Sequence, residues 1–272
     1  MLIVAYDGTH FHGFAAQPGQ RTVAGVLAGA IEVVAGSPVV MVCAGRTDAG
    51  VHAWGQVVHV DLPGQAPDPS LLARACNRML APEVVVRSVA EVPRSFDARA
   101  SASSRRYKYL LYDDNVASPF MARRAWHVRA RLDLGAMEKA TYPLLGEHDF
   151  TSFCRRPKRA PGRGPVAGAG GGETRASLVR RVIEAHWSRS VPEVLCPTAA
   201  LPEPGLLCFD IEASSFCHQM VRSVVSILVD VGVGRRKAQD VARVLEARDR
   251  SVAAPPAPPY GLYLWRVSYD RS

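Results

Sequence analysis

The sequence predicts an α+β fold in which two lobes of mixed strands and helices share one sheet. Strand-like apolar runs alternate with segments of helical period in both halves of the chain, and the two halves are alike in kind. Of the 272 residues, 48% are hydrophobic and 21% are charged, which is typical of a globular protein with a real core. We place the lobe boundary between 94 and 104, giving lobes of 1–99 and 100–272.

In the first lobe the elements follow from apolar spacing and from their end signals. Thr22 is a suitable N-cap for a helix that ends near Gly36, and Pro69 opens a second helix. Apolar or alternating runs predict strands at 2–6, 39–43, 56–62 and 84–89. The strand at 39–43 leads directly into a glycine-containing turn at 44–53.

The second lobe is likewise predicted to consist of strands and helices. Tyr107, Tyr109 and Leu111 share one face of a strand predicted at 106–112. Further strands are predicted at 178–188, 206–213 and 262–269, and helices at 132–145, 216–231 and 240–247. The helix at 216–231 has a polar stripe opposite an apolar face, a pattern that suits either a solvated surface or the wall of a cleft. The stripe is formed by His218, Arg222, Ser226 and Asp230.

The charge balance favours a polyanionic partner. The formal net charge is +8 and the isoelectric point is about 9.4, and nucleic acid is the commonest polyanion that a basic protein binds. No apolar run approaches the ~18 residues that indicate a membrane span. Residues 1–7 include no basic leader, so we expect no secretory signal and a cytoplasmic location.

The cysteines do not indicate a metal site. None of the six forms a C-x-x-C pair, and their gaps match no zinc spacing. In a cytosolic chain we expect them to be reduced and mostly buried. We therefore predict neither a structural nor a catalytic metal.

One segment, at about 155–177, is basic and rich in glycine. Residues 155–181 contain eight basic residues and one acid, a local charge of +7. Its glycines lack the Gly-Lys-Ser/Thr sequence and the preceding strand of a phosphate-binding loop, which excludes that interpretation. Two interpretations remain open: an arm that contacts an RNA backbone, or a solvated insertion without a function.

The turn at 44–53 presents a carboxylate, Asp48, two residues after Arg46. A nearby positive charge favours the ionised form of a carboxylate, which can act as a nucleophile or a base. On spacing alone, a surface Arg–Asp pair in a glycine turn is the commoner explanation.

The order of several motifs extends the argument beyond spacing. Residues 45–53, Gly-Arg-Thr-Asp-Ala-Gly-Val-His-Ala, resemble the signature of the tRNA pseudouridine synthase A family. Further collinear blocks resemble the same family along almost the whole chain, which makes a chance match implausible. These blocks are residues 6–17, 95–109, 145–153, 216–222 and 261–264.

The resemblance implies a fold and an activity. It implies the pseudouridine synthase fold, with a mixed, largely antiparallel sheet and the active-site cleft between the two lobes. It implies isomerisation of uridine to pseudouridine at positions 38, 39 and 40 of the tRNA anticodon stem-loop, without a cofactor, by a homodimer. Two alternatives remain: an enzyme of this type acting on another RNA site, or a non-catalytic RNA-binding protein on this scaffold.

The resemblance also implies residue roles. Asp48 is expected to be the catalytic carboxylate, with Arg46 paired to it and helping to open the RNA helix. Tyr107 is expected to stack on the target uracil, and Arg222 to hold Asp48 charged. Leu262 is expected to line the uracil site.

Overall fold

A computed structural model describes residues 1–62, 67–155, 177–189 and 205–269. Within those ranges the chain forms a ten-stranded sheet and five α-helices. The strands are β1 (Leu2–Tyr6), β2 (Val40–Cys43), β3 (His52–Asp61), β4 (Val84–Val89), β5 (Ala102–Tyr112), β6 (Trp126–His127), β7 (Gly146–Asp149), β8 (Val179–Ser188), β9 (Leu206–Ala213) and β10 (Leu262–Tyr269). The helices are α1 (Val23–Ala35), α2 (Pro69–Leu80), α3 (Leu134–Thr141), α4 (Met220–Gly232) and α5 (Asp240–Ala247).

The sheet joins the two halves of the chain. Its main order is β4-β1-β3-β10-β5-β9-β8-β7, with β2 beside β3 and β6 beside β5. Only the β10–β3 and β5–β6 pairs are parallel among the described strands. The predicted mixed, largely antiparallel sheet is therefore confirmed. The last strand, β10, lies between β3 and β5, so the C-terminus closes the junction of the halves, while the boundary at 99 and 100 stays a prediction.

The helices pack on one face of this sheet. Tyr107, Tyr109 and Leu111 of β5 belong to a single buried cluster to which all five helices contribute. On the opposite face of β5, Leu110 and Tyr112 belong to a second, smaller cluster that includes Met121 and Ala125 of the segment 113–125. The irregular segment 113–125 thus covers the face of β5 that points away from the helices, at the end of the strand that contains Leu110 and Tyr112.

The predicted helix signals act as expected in α1. The Thr22 side chain accepts a hydrogen bond from the backbone N–H of Gly25, and the helix ends at Gly36 with φ of 68°. Leu27 and Ile31 are fully buried on the face that the spacing assigned to the core. Local sequence therefore sets both the ends and the orientation of this helix.

Helix α4 begins later than its periodicity predicts. The apolar spacing extends back to Phe216, but Gln219 has a positive φ of 64°, so the regular helix starts at Met220. Ser226 of the polar stripe is buried, and the Arg222 side chain is only 12% exposed. The middle of the stripe is therefore not a solvated surface, whereas His218 at its start keeps 44% of its side chain exposed.

Two further features differ from the sequence predictions. The segment predicted as one helix at 132–145 contains the shorter α3 and a 3-10 turn, and a strand, β7, follows it. The short strand β6 was not predicted, because two residues give no period. The glycine-rich segment predicted at 155–177 lies outside the described residues except for Arg155 and Ser177.

The expectation that every cysteine is a free thiol is wrong for one pair. Cys154 and Cys217 form a disulfide, with their Cα atoms 5.7 Å apart. They lie 63 positions apart, so only the fold brings together the chain after Phe153 and the chain before α4. Cys43, Cys76 and Cys208 are free.

Among the described residues, no helix has the length and apolar character needed to cross a membrane.

Candidate active site

The turn that contains Asp48 is held by polar contacts in the interior of the protein. Thr47 is buried, and its hydroxyl lies 2.7 Å from the hydroxyl of Tyr6 in β1. The side-chain amide of Gln56, fully buried in β3, donates to the carbonyl of Gly45 at 2.7 Å. Because Thr47 points into the protein, the neighbouring side chains of Arg46 and Asp48 are turned toward the surface.

The loop before α1 provides a second set of contacts to this turn. The N–H of Phe14 donates to the carbonyl of Thr47 at 3.0 Å. Gly13 has φ of 89°, and a β-carbon there would stand 2.8 Å from the same carbonyl oxygen. Only glycine meets both conditions without strain, so the loop before α1 can close tightly on the turn.

Arg105 ties this turn to the second half of the chain. Its side chain in β5 is buried, and its guanidinium donates to four backbone carbonyls rather than to a carboxylate. One carbonyl belongs to Ala44, directly before the turn, at 3.1 Å, and another to Ser214, after β9, at 3.0 Å. The remaining two belong to Ala102 and Arg99. Burial lowers the pKa of Arg105, but arginine stays protonated in proteins, so the four contacts are charge-assisted.

The Asp48 carboxylate lies between two donors from the start of α4. Arg222 Nη1 stands 3.1 Å from Oδ2, and His218 Nε2 stands 3.3 Å from Oδ1. Arg222 is itself held by its Nε, which donates to the carbonyl of Ala257 at 2.6 Å. Asp48 keeps 30% of its side chain exposed, so the carboxylate is oriented and yet open to the cleft.

The expected pair of Arg46 with Asp48 is corrected by the structure. Within the described part of the chain, the ion pairs of Asp48 go to Arg222 and His218, and none goes to Arg46. Arg46 is exposed, in contrast to the buried Thr47 beside it. It is therefore available to a ligand at the rim of the cleft.

Tyr107 lies in the wall beside the turn. Its ring is 8% exposed and meets the ring of Phe216 edge-on, with centroids 5.0 Å apart. Its hydroxyl would stand 3.8 Å from a β-carbon built on Gly45. Burial raises the pKa of Tyr107 far above its ordinary value, and the Asp48 charge acts in the same direction, so the hydroxyl is neutral.

Leu262 is buried at the start of β10, where it pairs with Tyr109 of β5. The segment before it touches the site at two points. Pro259 packs against Gly50, 3.1 Å from where a β-carbon would stand, and the Ala257 carbonyl binds Arg222. The structure thus brings Asp48, Arg222 and Tyr107 together and places Leu262 at the end of the segment that braces them.

Sequence reasoning assigned no role to His218, Arg105 or Gln56. The signals for His218 were its place in the polar stripe, four residues before Arg222, and its place in the family-like block 216–222. Arg105 and Gln56 carry out their roles through backbone carbonyls of distant segments, which no local pattern encodes. What the arrangement offers chemically is an oriented carboxylate, able to act as nucleophile or base, beside a neutral tyrosine.

Comparison with known proteins shows the family to which this chain belongs. The family model for tRNA pseudouridine synthase matches residues 2–99 and 140–270, so Asp48, Arg222 and Leu262 lie inside the matched segments and Tyr107 lies between them. A tRNA pseudouridine synthase A of Limosilactobacillus fermentum is 38% identical over 99% of this chain and 95% of its own length. Those of Pseudothermotoga lettingae and Frankia casuarinae are 36% and 41% identical, over 99% and 98% of this chain and 98% and 88% of their own lengths.

Proposed function

Since the chain belongs to the tRNA pseudouridine synthase family, we propose that it isomerises uridine to pseudouridine in tRNA, at positions 38, 39 and 40 of the anticodon stem-loop. The observation that carries this proposal is the Asp48 carboxylate, held at 3.1 Å by Arg222 and at 3.3 Å by His218 and still open to the cleft. The net charge of +8 suits an RNA substrate.

The reaction requires one oriented carboxylate and a site for an extruded base. The N1–C1′ bond of the uridine breaks, the uracil turns, and a C5–C1′ bond forms. The proton on C5 leaves, and N1 of the product gains a proton, so no redox partner or group donor is consumed. Asp48 can start this sequence by removing the C2′ proton as the N1–C1′ bond breaks, which gives a glycal, and the proton returns to C2′ when C5 bonds to C1′. Alternatively, Asp48 attacks C1′ and is displaced when C5 bonds to C1′; we favour the first route.

The target base has to leave the helical stack before this chemistry. Extrusion costs roughly a few kcal/mol and is offset by stacking and polar contacts in the protein. Tyr107 is proposed to stack on the uracil, with Leu262 as a further apolar wall. Arg46, exposed at the rim of the cleft, is proposed to contact the opened RNA.

The decisive experiment is tritium release from an anticodon stem-loop that carries [5-³H]uridine. Wild-type protein is expected to release tritium from the target positions, Asp48→Ala is expected to release none, and Asp61→Ala, an exposed aspartate at the end of β3, serves as the matched control. Release by Asp48→Ala would remove Asp48 from the mechanism. Tritium release from other uridines would show that the protein modifies a different position of the RNA. RNA binding without tritium release by any variant would favour a non-catalytic role.

We further propose that two copies associate and that the protein works in the cytoplasm, where the proposed tRNA substrate is modified. Two exposed apolar side chains support the association, Val116 at 74% and Phe120 at 82% exposure. Both belong to the segment 113–125, which packs on the sheet face away from the helices. Sedimentation equilibrium is expected to give a dimer for the wild type and a weaker one for Phe120→Asp. A wild-type monomer at micromolar concentration would contradict the proposal.

A further inference from the structure

His218 is the second side chain that holds the Asp48 carboxylate. Its Nε2 stands 3.3 Å from Oδ1, while Arg222 occupies Oδ2. Nε2 and Oδ1 lie within hydrogen-bond distance of each other. Because a carboxylate only accepts hydrogen bonds, a hydrogen bond between them requires an N–H on Nε2 of the imidazole. His218 keeps 44% of its side chain exposed, so packing in a core does not account for its position.

The backbone at His218 is fixed on both sides. Its carbonyl accepts a hydrogen bond from the N–H of Arg155 at 2.9 Å. Gln219, the next residue, is held at φ of 64°, a conformation that a non-glycine residue seldom adopts. Cys217, the residue before, is joined to Cys154.

The left-handed residue also explains why His218 and Arg222 reach the same carboxylate from different directions. Arg222 projects from the first turn of α4, whereas His218 precedes the helix and lies on the far side of Gln219. The two donors therefore approach different oxygens of Asp48. A single donor would leave the carboxylate free to turn about its Cβ–Cγ bond, whereas two donors fix its plane.

We propose that His218 is a positioning residue for Asp48, and that it fixes the plane of the carboxylate toward the ribose of the target uridine. This inference rests on the proposed isomerase activity. It assigns His218 a hydrogen-bonding role at the Nε2 atom, and it requires neither a proton transfer nor a contact between the ring and the RNA.

The test compares His218→Gln with His218→Leu. The glutamine amide nitrogen reaches about the place of Nε2 and keeps a donor, whereas leucine has a similar volume and no donor. With saturating stem-loop RNA in single turnover, the leucine variant is expected to release tritium about ten- to a hundredfold more slowly, as loss of a hydrogen bond to a charged group predicts. The glutamine variant is expected to stay within about threefold of the wild type.

Two further measurements separate positioning from other roles. The dissociation constant for the stem-loop is expected to change less than about threefold in both variants, and thermal unfolding is expected to be nearly unchanged because the side chain is half exposed. A leucine variant as fast as the wild type would overturn the inference, as would equal loss in both variants, or a loss of RNA affinity that matches the loss of rate. If the wild type released no tritium, the proposed function would fail first and this inference with it.

Discussion

Asp48 and Arg222 lie 174 positions apart in the chain, and the Arg222 guanidinium meets the Asp48 carboxylate at 3.1 Å. The carboxylate comes from a turn between two strands of the first half, and the guanidinium comes from α4 of the second half. In the folded chain these two halves are joined by β10, which lies between β3 and β5. The candidate site is a product of the junction between the halves.

Replacing Arg222 is expected to impair the reaction step more than RNA binding. Arg222→Gln removes a charge-assisted contact worth about 1.5–3 kcal/mol, so the single-turnover rate is expected to fall roughly ten- to hundredfold. Arg222→Lys keeps the charge and loses the planar fork that also holds the Ala257 carbonyl, so an intermediate rate is expected. Arg243→Gln, an exposed arginine on α5, is the control. A glutamine variant with an unchanged rate would exclude a role for this pair.

Gly13 and Gly19 provide a matched test of how closely the loop must approach the turn. Both have a positive φ, 89° and 72°, but a β-carbon at Gly13 meets the Thr47 carbonyl at 2.8 Å and one at Gly19 meets nothing within 4 Å. Both alanine variants are expected to lose about 1 kcal/mol to the backbone strain. Only Gly13→Ala is expected to lose tritium release as well, because Thr47 and hence Asp48 must shift. Urea denaturation and rate measurements on the two variants check this, and equal activities would contradict it.

Replacement of Arg105 is expected to lower the stability of the fold strongly. Arg105→Met would leave four buried or half-buried carbonyls without their hydrogen-bond donor. Each carbonyl that finds no other partner would cost about 1–3 kcal/mol of stability, and water that enters the site would reduce this cost. We expect the free energy of unfolding to fall by roughly 3 kcal/mol or more. Arg99→Met, whose side chain is exposed although its carbonyl is one of the four acceptors, is the control. A small, equal loss in both variants would show that Arg105 does not join the segments.

Asp7 is expected to make stability depend on pH on the acid side. The pKa of Asp7 lies below its ordinary value of about 4, first because the His52 imidazole lies 3.1 Å from its carboxylate and then because Thr9 donates to it. A lowered folded-state pKa contributes stability above about pH 4, and that stability is lost as the pH falls further.

Asp7→Asn is therefore expected to lower the free energy of unfolding at pH 7 and to differ less from the wild type at pH 3. The effect is expected to be about 1 kcal/mol or less, because 41% of the side chain is exposed and solvent screens the pair. Urea denaturation of both proteins across this range is the measurement, with Asp61→Asn as a control for the loss of one charge. A constant difference from pH 7 to pH 3 would contradict the assignment.

Much of the fold could be predicted because it depends on neighbours in the chain. The bounds of α5, β4, β9 and β10 agree with the periodic patterns, and Thr22 and Gly36 end α1 as their chemistry indicates. The motif at 45–53 located the turn of Asp48. Each of these features depends on a few consecutive side chains, so the sequence carries the information locally.

Other features depend on residues that meet only in the folded chain. The late start of α4 depends on a left-handed Gln219, which glutamine does not favour by itself and which the hydrogen bond from Arg155 to the preceding carbonyl helps to hold. The Cys154–Cys217 disulfide and the carbonyl contacts of Arg105 likewise join segments that are far apart in sequence.

The sequence by itself determined the α+β class, the mixed sheet, the ends of most elements and the identity of the carboxylate at the turn. The resemblance also indicated Arg222 as a partner of that carboxylate, but only the tertiary structure decided that the other neighbour is His218 and not Arg46. The physical reason is that side-chain direction at a turn depends on what its neighbours bury. Thr47 is drawn inward by Tyr6, which turns Arg46 out to solvent and leaves Asp48 facing the start of α4.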